Sequence, residues 1–407
     1  MGDNEPVRRE TLARISRGEE TRGGVCAPLG FRAAGASCGL KAGGGLDICV
    51  IACDERCPAA GVFTRNAFRA APVLLTMENL GDGHLQAVVA NSGNANAWTG
   101  ERGREDAVAM AAMAAEALGI REGDVAVAST GVIGSYLDME KVGRGIREAA
   151  AGLSREKGGE AAKAIMTTDK YPKEIALDFG GFKVGGMAKG AGMIRPDMAT
   201  MLAFLTTDAE VPPRELAEGL SRAADRTFNR ITVDGCTSTN DMVLAMASGE
   251  SGTRLRAEEV EEALYPLCRH LARAIVSDGE GATRLISVRV HGAQDAWEAL
   301  LAARAVAESP LVKTAFFGRD PNWGRVVQAL GAALPDLDAA GVRVFFGGIE
   351  VAGAGSPVAA DAAALEGVMA AEEVDLDIHL GRGEASGEVL TCDLGYEYVR
   401  INAEYHT

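Results

Sequence analysis

Thr200 is the residue whose setting offers the clearest chemistry. It closes the stretch Lys189–Gly190–Ala191–Gly192–Met193–Ile194–Arg195–Pro196–Asp197–Met198–Ala199–Thr200 and opens the apolar run Met201–Leu202–Ala203–Phe204–Leu205. That run is short and ends at Thr206–Thr207–Asp208. It predicts a strand buried on both faces. Gly190 and Gly192 permit a bend before it, and Pro196 keeps Arg195 out of helix. A hydroxyl at the head of a central strand is placed as a nucleophile, and Ala199–Thr200 as the bond it cuts. The cut would give Thr200 a free α-amine, with an ordinary pKa of about 8, beside its own hydroxyl. Such an amine can take the hydroxyl proton without a histidine. An acyl intermediate also needs oxyanion donors, each worth about 3–4 kcal/mol. Ser129–Thr130–Gly131, directly after a predicted strand, offers a hydroxyl and backbone N–H groups. On residue types alone, a threonine opening a strand and a Thr–Gly turn are also ordinary structural features.

Other chemistries find less support. There is no GxxxxGK[ST] loop, so Lys189 is not a phosphate-loop lysine. A GxSxG occurs at Gly35–Ala36–Ser37–Cys38–Gly39, but glycines through Gly45 leave no room for the helix that a nucleophile elbow requires. His84, His270, His291, His379 and His406 form no paired pattern. The eight cysteines stand at 26, 38, 49, 53, 57, 236, 268 and 392. Cys49, Cys53 and Cys57 have no CxxC or nearby histidine, so they read as core thiols and no metal site is expected. The net charge of −16 over 407 residues argues against a general nucleic-acid binder. The acidic start Met1–Gly2–Asp3–Asn4–Glu5 is unlike a signal peptide, and no run of about 18 apolar residues predicts a membrane span. Reduced thiols and a cytoplasmic location are the expectation.

The elements that must position these groups follow from periodicity. Strands are predicted at 46–52, 85–91, 124–129, 201–206 and 242–247, and a hairpin at 174–179 and 182–187 across Gly180–Gly181. Helices are predicted at 104–118, closed by Gly119, and at 138–153, 213–228, 257–277 and 293–307. The helix 257–277 is expected to break or bend near Pro266. Toward the end come strands at 284–290, 342–346, 374–380, 388–394 and 396–401. Strands mixed with paired helices predict two packed sheets with helices outside. Residues 1–24 read as a charged arm.

The stretch from Lys189 to Ile194, with Pro196 and Met198–Ala199–Thr200–Met201–Leu202, resembles the self-cleavage and nucleophile signature of the ornithine acetyltransferase family. These are the glutamate N-acetyltransferases of cyclic arginine biosynthesis. Asn91–Ser92–Gly93–Asn94–Ala95–Asn96–Ala97 and Ser129–Thr130–Gly131–Val132–Ile133–Gly134 are similar to its N-terminal half. So are Met166–Thr167–Thr168–Asp169, Ser277–Asp278–Gly279–Glu280–Gly281–Ala282–Thr283, Gly318–Arg319–Asp320–Pro321–Asn322–Trp323–Gly324–Arg325 and the end, Tyr398 to Thr407. The resemblance spans nearly the whole chain from about Val25.

It implies an α/β (α+β) fold: a four-layer αββα body of the DmpA/ornithine-acetyltransferase type with a smaller C-terminal α/β portion. It implies self-cleavage into an alpha chain, 1–199, and a beta chain, 200–407, assembled as a dimer of heterodimers. Thr200 would be cleavage residue and nucleophile, and Thr130 with Gly131 the oxyanion hole. Thr167, Lys189, Thr200, Glu280, Asn402 and Thr407 would hold the amino-acid substrate. The activity implied is acetyl transfer from N2-acetylornithine to glutamate through acetyl-Thr200. No cofactor or metal is implied. Family members differ in accepting acetyl-CoA, which stands as a second donor. Two rivals remain open: an N-terminal-threonine amidase or aminopeptidase using water as acceptor, and a non-enzymatic α/β binding protein with an inert Thr200.

Overall fold

A computed structural model describes residues 18–195 and 201–404. Among them two compact units separate, one from 18 to 229 and 237 to 275, the other from 230 to 236 and 276 to 404.

The first unit contains nine strands: β1 (Glu19–Thr21), β2 (Phe31–Ala36), β3 (Ile48–Phe63), β4 (His84–Asn94), β5 (Val125–Val132), β6 (Lys173–Asp178), β7 (Lys183–Lys189), β8 (Leu202–Thr207) and β9 (Met242–Ala247). β3 organises them. Its first half, Ile48–Ala52, pairs with β2 and β4, while Ala59–Phe63 pairs with β9. The register shifts between Ala52 and Cys57. An irregularity of this kind bends a strand and lets it pass from one sheet to the next. One sheet is therefore β2, β3, β4, β5; the other runs β1-β6-β7-β8-β9-β3. One apolar core joins them: Cys49, Ile51 and Val88 from the first, Met187, Phe204 and Leu244 from the second.

Helices cover both outer faces. Met110 and Ala114 of Gly100–Leu118 and Val142 and Ile146 of Met139–Ala151 pack on Val50, Val89 and Val127. On the other side, Leu216 of Pro213–Arg226 and Val260 and Leu264 of Ala257–Ser277 line a small apolar space with Val184, Leu205 and Ala245. The result is the expected αββα body. β8 lies between β7, antiparallel, and β9, parallel, and all six of its residues are buried. The apolar run Leu202–Leu205 is what a position covered on both faces demands, and the buried hydroxyls of Thr206 and Thr207 donate to the carbonyls of Val25 and Lys183. Of the break or bend expected near Pro266, the break does not occur: the helix Ala257–Ser277 continues through the proline. Leu264, Leu267 and Leu271 are buried on either side of the proline, and their packing holds the helix across the missing N–H.

The second unit is a two-layer α/β body. Its sheet has six strands: β10 (Leu285–Ala293), β11 (Arg343–Phe346), β12 (Ile349–Gly353), β13 (Ser356–Pro357), β14 (Glu373–His379) and β15 (Ala385–Cys392), in the order β13-β12-β11-β14-β10-β15. Ile286, Val288 and Val290 alternate inward against the helices Ala296–Glu308, Pro310–Phe317 and Trp323–Ala333. Arg289 and His291 point the other way. Arg289 pairs with Asp375 and Glu388, and the His291 ring stacks on His379 at 4.9 Å. Tyr396–Glu404 is a helix, not the strand expected over 396–401. The spacing Glu397–Arg400–Glu404 explains the difference. Arg400 bonds both carboxylates at i−3 and i+4, pairs that only a helix brings together.

Candidate active site

Several of the expected site residues meet in the first unit, at the ends of strands. β4 and β5 run parallel, with Asn91 beside Ser129, Ser92 beside Thr130 and Gly93 beside Gly131. Open sheets tend to bind ligands beyond the carboxyl ends of such strands. Gly131 adopts φ 133°. A Cβ there would lie 2.3 Å from the Gly93 carbonyl carbon and 2.5 Å from the Asn94 nitrogen, so only glycine fits.

Buried amides fix the turn. Ser129 Oγ donates to Asn91 Oδ1 at 2.6 Å, and Asn91 Nδ2 donates to the Asn94 carbonyl at 2.8 Å. Asn240 Nδ2 donates to the carbonyls of Ala95 at 2.6 Å and Ser129 at 2.8 Å. Each of these groups is buried and partnered, so the turn is held from both sides.

Lys189 ends β7 and pairs in register with Leu202, the first residue of β8. Its ammonium, almost fully buried, donates to Thr130 Oγ1 at 3.1 Å. A hydroxyl that accepts from a lysine keeps its own proton for a second partner. Thr130 can therefore donate where negative charge develops. Ala199 and Thr200, in the connection from Lys189 to Leu202, lie outside the described residues.

Asp169 supplies negative charge to Lys189 and binds the residue after it. Its Oδ1 takes Lys173 Nζ at 2.6 Å and the Gly190 N–H at 2.7 Å, and its Oδ2 takes the Thr167 N–H at 2.9 Å. Both side chains of the Lys173–Asp169 pair are wholly shielded from solvent. Burial pushes the Asp169 carboxyl up, but the Lys189 and Lys173 charges and the Gly190 N–H outweigh it and hold it down to about 2. Thr130, Gly131, Thr167 and Lys189 thus form one connected cluster. Glu280 and Asn402 meet separately, in the second unit, where Asn402 Nδ2 donates to Glu280 Oε2 at 2.8 Å. Thr407 lies outside the described residues. Ser37 follows a strand, β2, with no helix after it. The N–H groups of Cys38, Gly39 and Leu40 turn instead onto the Asp47 carboxylate.

Sequence reading gave no role to Asp169, Lys173, Asn240 or Asp241. Only the polar run Met166–Asp169 hinted at the first. Nothing local marks Asn240 or Asp241, because their neighbours lie far along the chain, and the buried Lys173–Asp169 pair spans an ordinary i,i+4 spacing.

The ArgJ family model matches residues 32–407. The chain belongs to the ArgJ family. It is 52% identical, over 95% of its length and 99% of the relative's, to the arginine biosynthesis bifunctional protein ArgJ of Symbiobacterium thermophilum. It is 46% identical, over 96% of its length and 100% of the relative's, to the glutamate N-acetyltransferase of Methanosarcina mazei. A crystal structure of the bifunctional ArgJ protein of Bacillus halodurans aligns at 40% identity with a TM-score of 0.49, covering 51% of this chain and 100% of that one. Membership in the ArgJ family matches the resemblance carried by the Lys189–Leu202 stretch. Among the described residues, no helix is long and apolar enough to cross a membrane.

Proposed function

We propose that this ArgJ-family chain is an acyltransferase that moves an acetyl group from N2-acetylornithine to glutamate, with acetyl-CoA as a second donor to glutamate. The names of its ArgJ relatives, a bifunctional arginine-biosynthesis protein and a glutamate N-acetyltransferase, support the activity. The geometric observation that carries the reading is the buried Lys189–Thr130 hydrogen bond beside Gly131. It ties an oxyanion-type turn to the strand end from which the chain proceeds to Thr200.

The reaction then runs in two halves. In the precursor, the Thr200 hydroxyl attacks the Ala199 carbonyl, and water hydrolyses the resulting ester. Fragments 1–199 and 200–407 stay together because β7 and β8, one from each, are neighbours in a buried sheet. The freed Thr200 amine takes the hydroxyl proton as the oxygen attacks the acetyl carbonyl of N2-acetylornithine. The tetrahedral oxyanion is held by Thr130 and Gly131. Its collapse forms acetyl-Thr200 and releases ornithine, which carries the proton away on its amine. Glutamate then attacks the ester, and the acetyl group leaves as its amide. Thr167, Lys189, Glu280, Asn402 and Thr407 hold the amino-acid part, with Glu280 suited to an ammonium and Lys189 to a carboxylate. No metal or cofactor enters these steps. The working form is a dimer of alpha–beta heterodimers in the cytoplasm.

Intact-mass measurement of the purified protein tests this. Two fragments split at Ala199–Thr200 are expected. N2-acetylornithine should add one acetyl mass to the C-terminal fragment only, and glutamate should remove it faster than water does. Loss of the adduct to water alone, unaffected by glutamate, would favour the amidase. Thr130→Val, which keeps shape and removes one oxyanion donor, should lower transfer about 10²–10³-fold. A steady-state assay showing unchanged kcat would remove Thr130 from that role.

A further inference from the structure

Self-cleavage presents a chemical problem that transfer does not. Before the cut, the nitrogen of Thr200 is an amide, which cannot accept a proton. The first attack needs another base. Asp241 stands one residue before β9 and is almost fully buried. Neither of its carboxyl oxygens has a hydrogen-bond partner among the described residues. The strand register fixes where it lies. β9 runs parallel to β8 with Met242 beside Leu202, and the Met242 N–H donates to the Met201 carbonyl at 3.1 Å. Asp241 therefore flanks Met201, the residue bonded directly to Thr200.

Two of the neighbouring side-chain donors are engaged elsewhere. The Asp241 carbonyl accepts from the Thr64 N–H at 3.0 Å, while the Thr64 hydroxyl donates to the Ser238 carbonyl at 2.8 Å. The neighbouring Asn240 amide is bound to Ala95 and Ser129. A buried carboxyl without partners is costly to keep. Such a cost, carried by a strand end next to a reacting bond, marks a functional group more often than a structural one.

We propose that Asp241 is the proton acceptor of self-cleavage, serving the Thr200 hydroxyl before the Thr200 amine exists. This rests on Thr200 being the cleavage nucleophile. The step balances. The Asp241 carboxylate takes the hydroxyl proton as Thr200 Oγ bonds to the Ala199 carbonyl carbon. The proton passes to the Thr200 nitrogen as the C–N bond breaks, leaving an ester and an amine. Water then hydrolyses the ester to the Ala199 carboxylate and the Thr200 hydroxyl.

Burial raises the Asp241 carboxyl well above the usual carboxylate range, against the weaker pull of the Met201 N–H, the Lys189 charge and the Thr64 hydroxyl. The charged group acting on it is Lys189 on β7. β8 offers the Met201 backbone, the end of β3 offers Thr64, and its own segment offers the uncharged Asn240. Only the ionised fraction acts, so cleavage should accelerate as pH rises.

The test follows the full-length chain after synthesis by intact mass at a series of pH values. Wild-type splitting should quicken with pH. Asp241→Asn should split at least 100-fold more slowly and lose that pH step. Because Asn removes a buried acid that resists ionising, the uncut variant should melt no lower than wild type at pH 8. Splitting at the wild-type rate by Asp241→Asn would overturn the proposal. So would slow splitting that keeps the wild-type pH profile in a variant with a lowered melting temperature. Thr200→Ala run alongside separates the two ideas. If it still splits, the nucleophile assignment fails; if it stays whole while Asp241→Asn splits normally, only the role of Asp241 fails.

Discussion

Thr200→Ala should remain a single 407-residue chain and show no acetyl transfer, a loss on the order of 10⁶ in kcat. The size of the effect follows from the double duty proposed for one hydroxyl. Without it there is neither a cleavage nucleophile nor an acetyl carrier. The described residues offer poor substitutes. Burial pushes the Cys26 and Cys38 thiols up to about 12, where almost no thiolate exists at neutral pH. The loop after Ser37 is wrapped on the Asp47 carboxylate and has no base in place. Thr200→Ser, which keeps a hydroxyl, should restore both splitting and transfer in part. Denaturing gels and a glutamate-dependent acetylation assay read the two functions separately. Splitting by Thr200→Ala, with the same fragment masses, would show that another group cuts the bond. Full transfer by an unsplit Thr200→Ala would remove the acetyl-threonine intermediate.

Much of what positions the site is written locally. β8 and β9 are short apolar runs bounded by polar residues, and both runs are wholly buried. The β6–β7 hairpin turns at Gly180, as its glycine pair foretells, with φ 72°. β3 beyond Ala52 is not legible in the same way. Asp54, Glu55 and Arg56 interrupt its pattern, and they do so where the strand leaves one sheet for the other. Polarity there reflects solvent at the crossing, not the end of the strand. The C-terminal segment misleads for a related reason. Tyr396–Glu397–Tyr398–Val399 alternates like a strand, yet its apolar residues are largely exposed and its charges are spaced for a helix.

The site divides along the same line. Thr130, Gly131 and Lys189 are visible because strand ends and glycines mark them. Asp169 is one acid between Thr168 and Lys170, and its meaning lies in Lys173 and Lys189 converging on it. Asp241 is meaningful only through a parallel neighbour 40 positions earlier, Met201. Burial and long-range pairing make these residues important, and neither leaves a pattern in the nearby sequence.

Asp169→Asn should damage stability and activity together. An asparagine can accept one of the two backbone N–H bonds, from Thr167 or Gly190, but it cannot balance two buried lysines. Breaking a buried charge cluster by removing one sign costs about 3–5 kcal/mol. The pH dependence gives the sign. Asp169 titrates at about 2 in the folded chain against an ordinary 3.8. Its depressed pKa adds stability that is complete above the ordinary value and disappears as pH falls toward 2. The amount is on the order of 2 kcal/mol. Urea unfolding of wild type and variant should differ most at neutral pH, and the gap should narrow between pH 4 and pH 2. A gap that stays constant across that range would mean that Asp169 does not titrate as a paired carboxylate. Activity should fall by a second route. With its counter-charge gone, Lys189 is no longer held at 3.1 Å from Thr130, so splitting and transfer should slow even under conditions where the variant is fully folded. Lys173→Met offers the comparison. It removes one of the two cations and keeps Lys189 with Asp169, so it should cost stability while leaving transfer closer to wild type. If both variants lost transfer equally, the attraction between Asp169 and Lys189 would not be what positions Thr130.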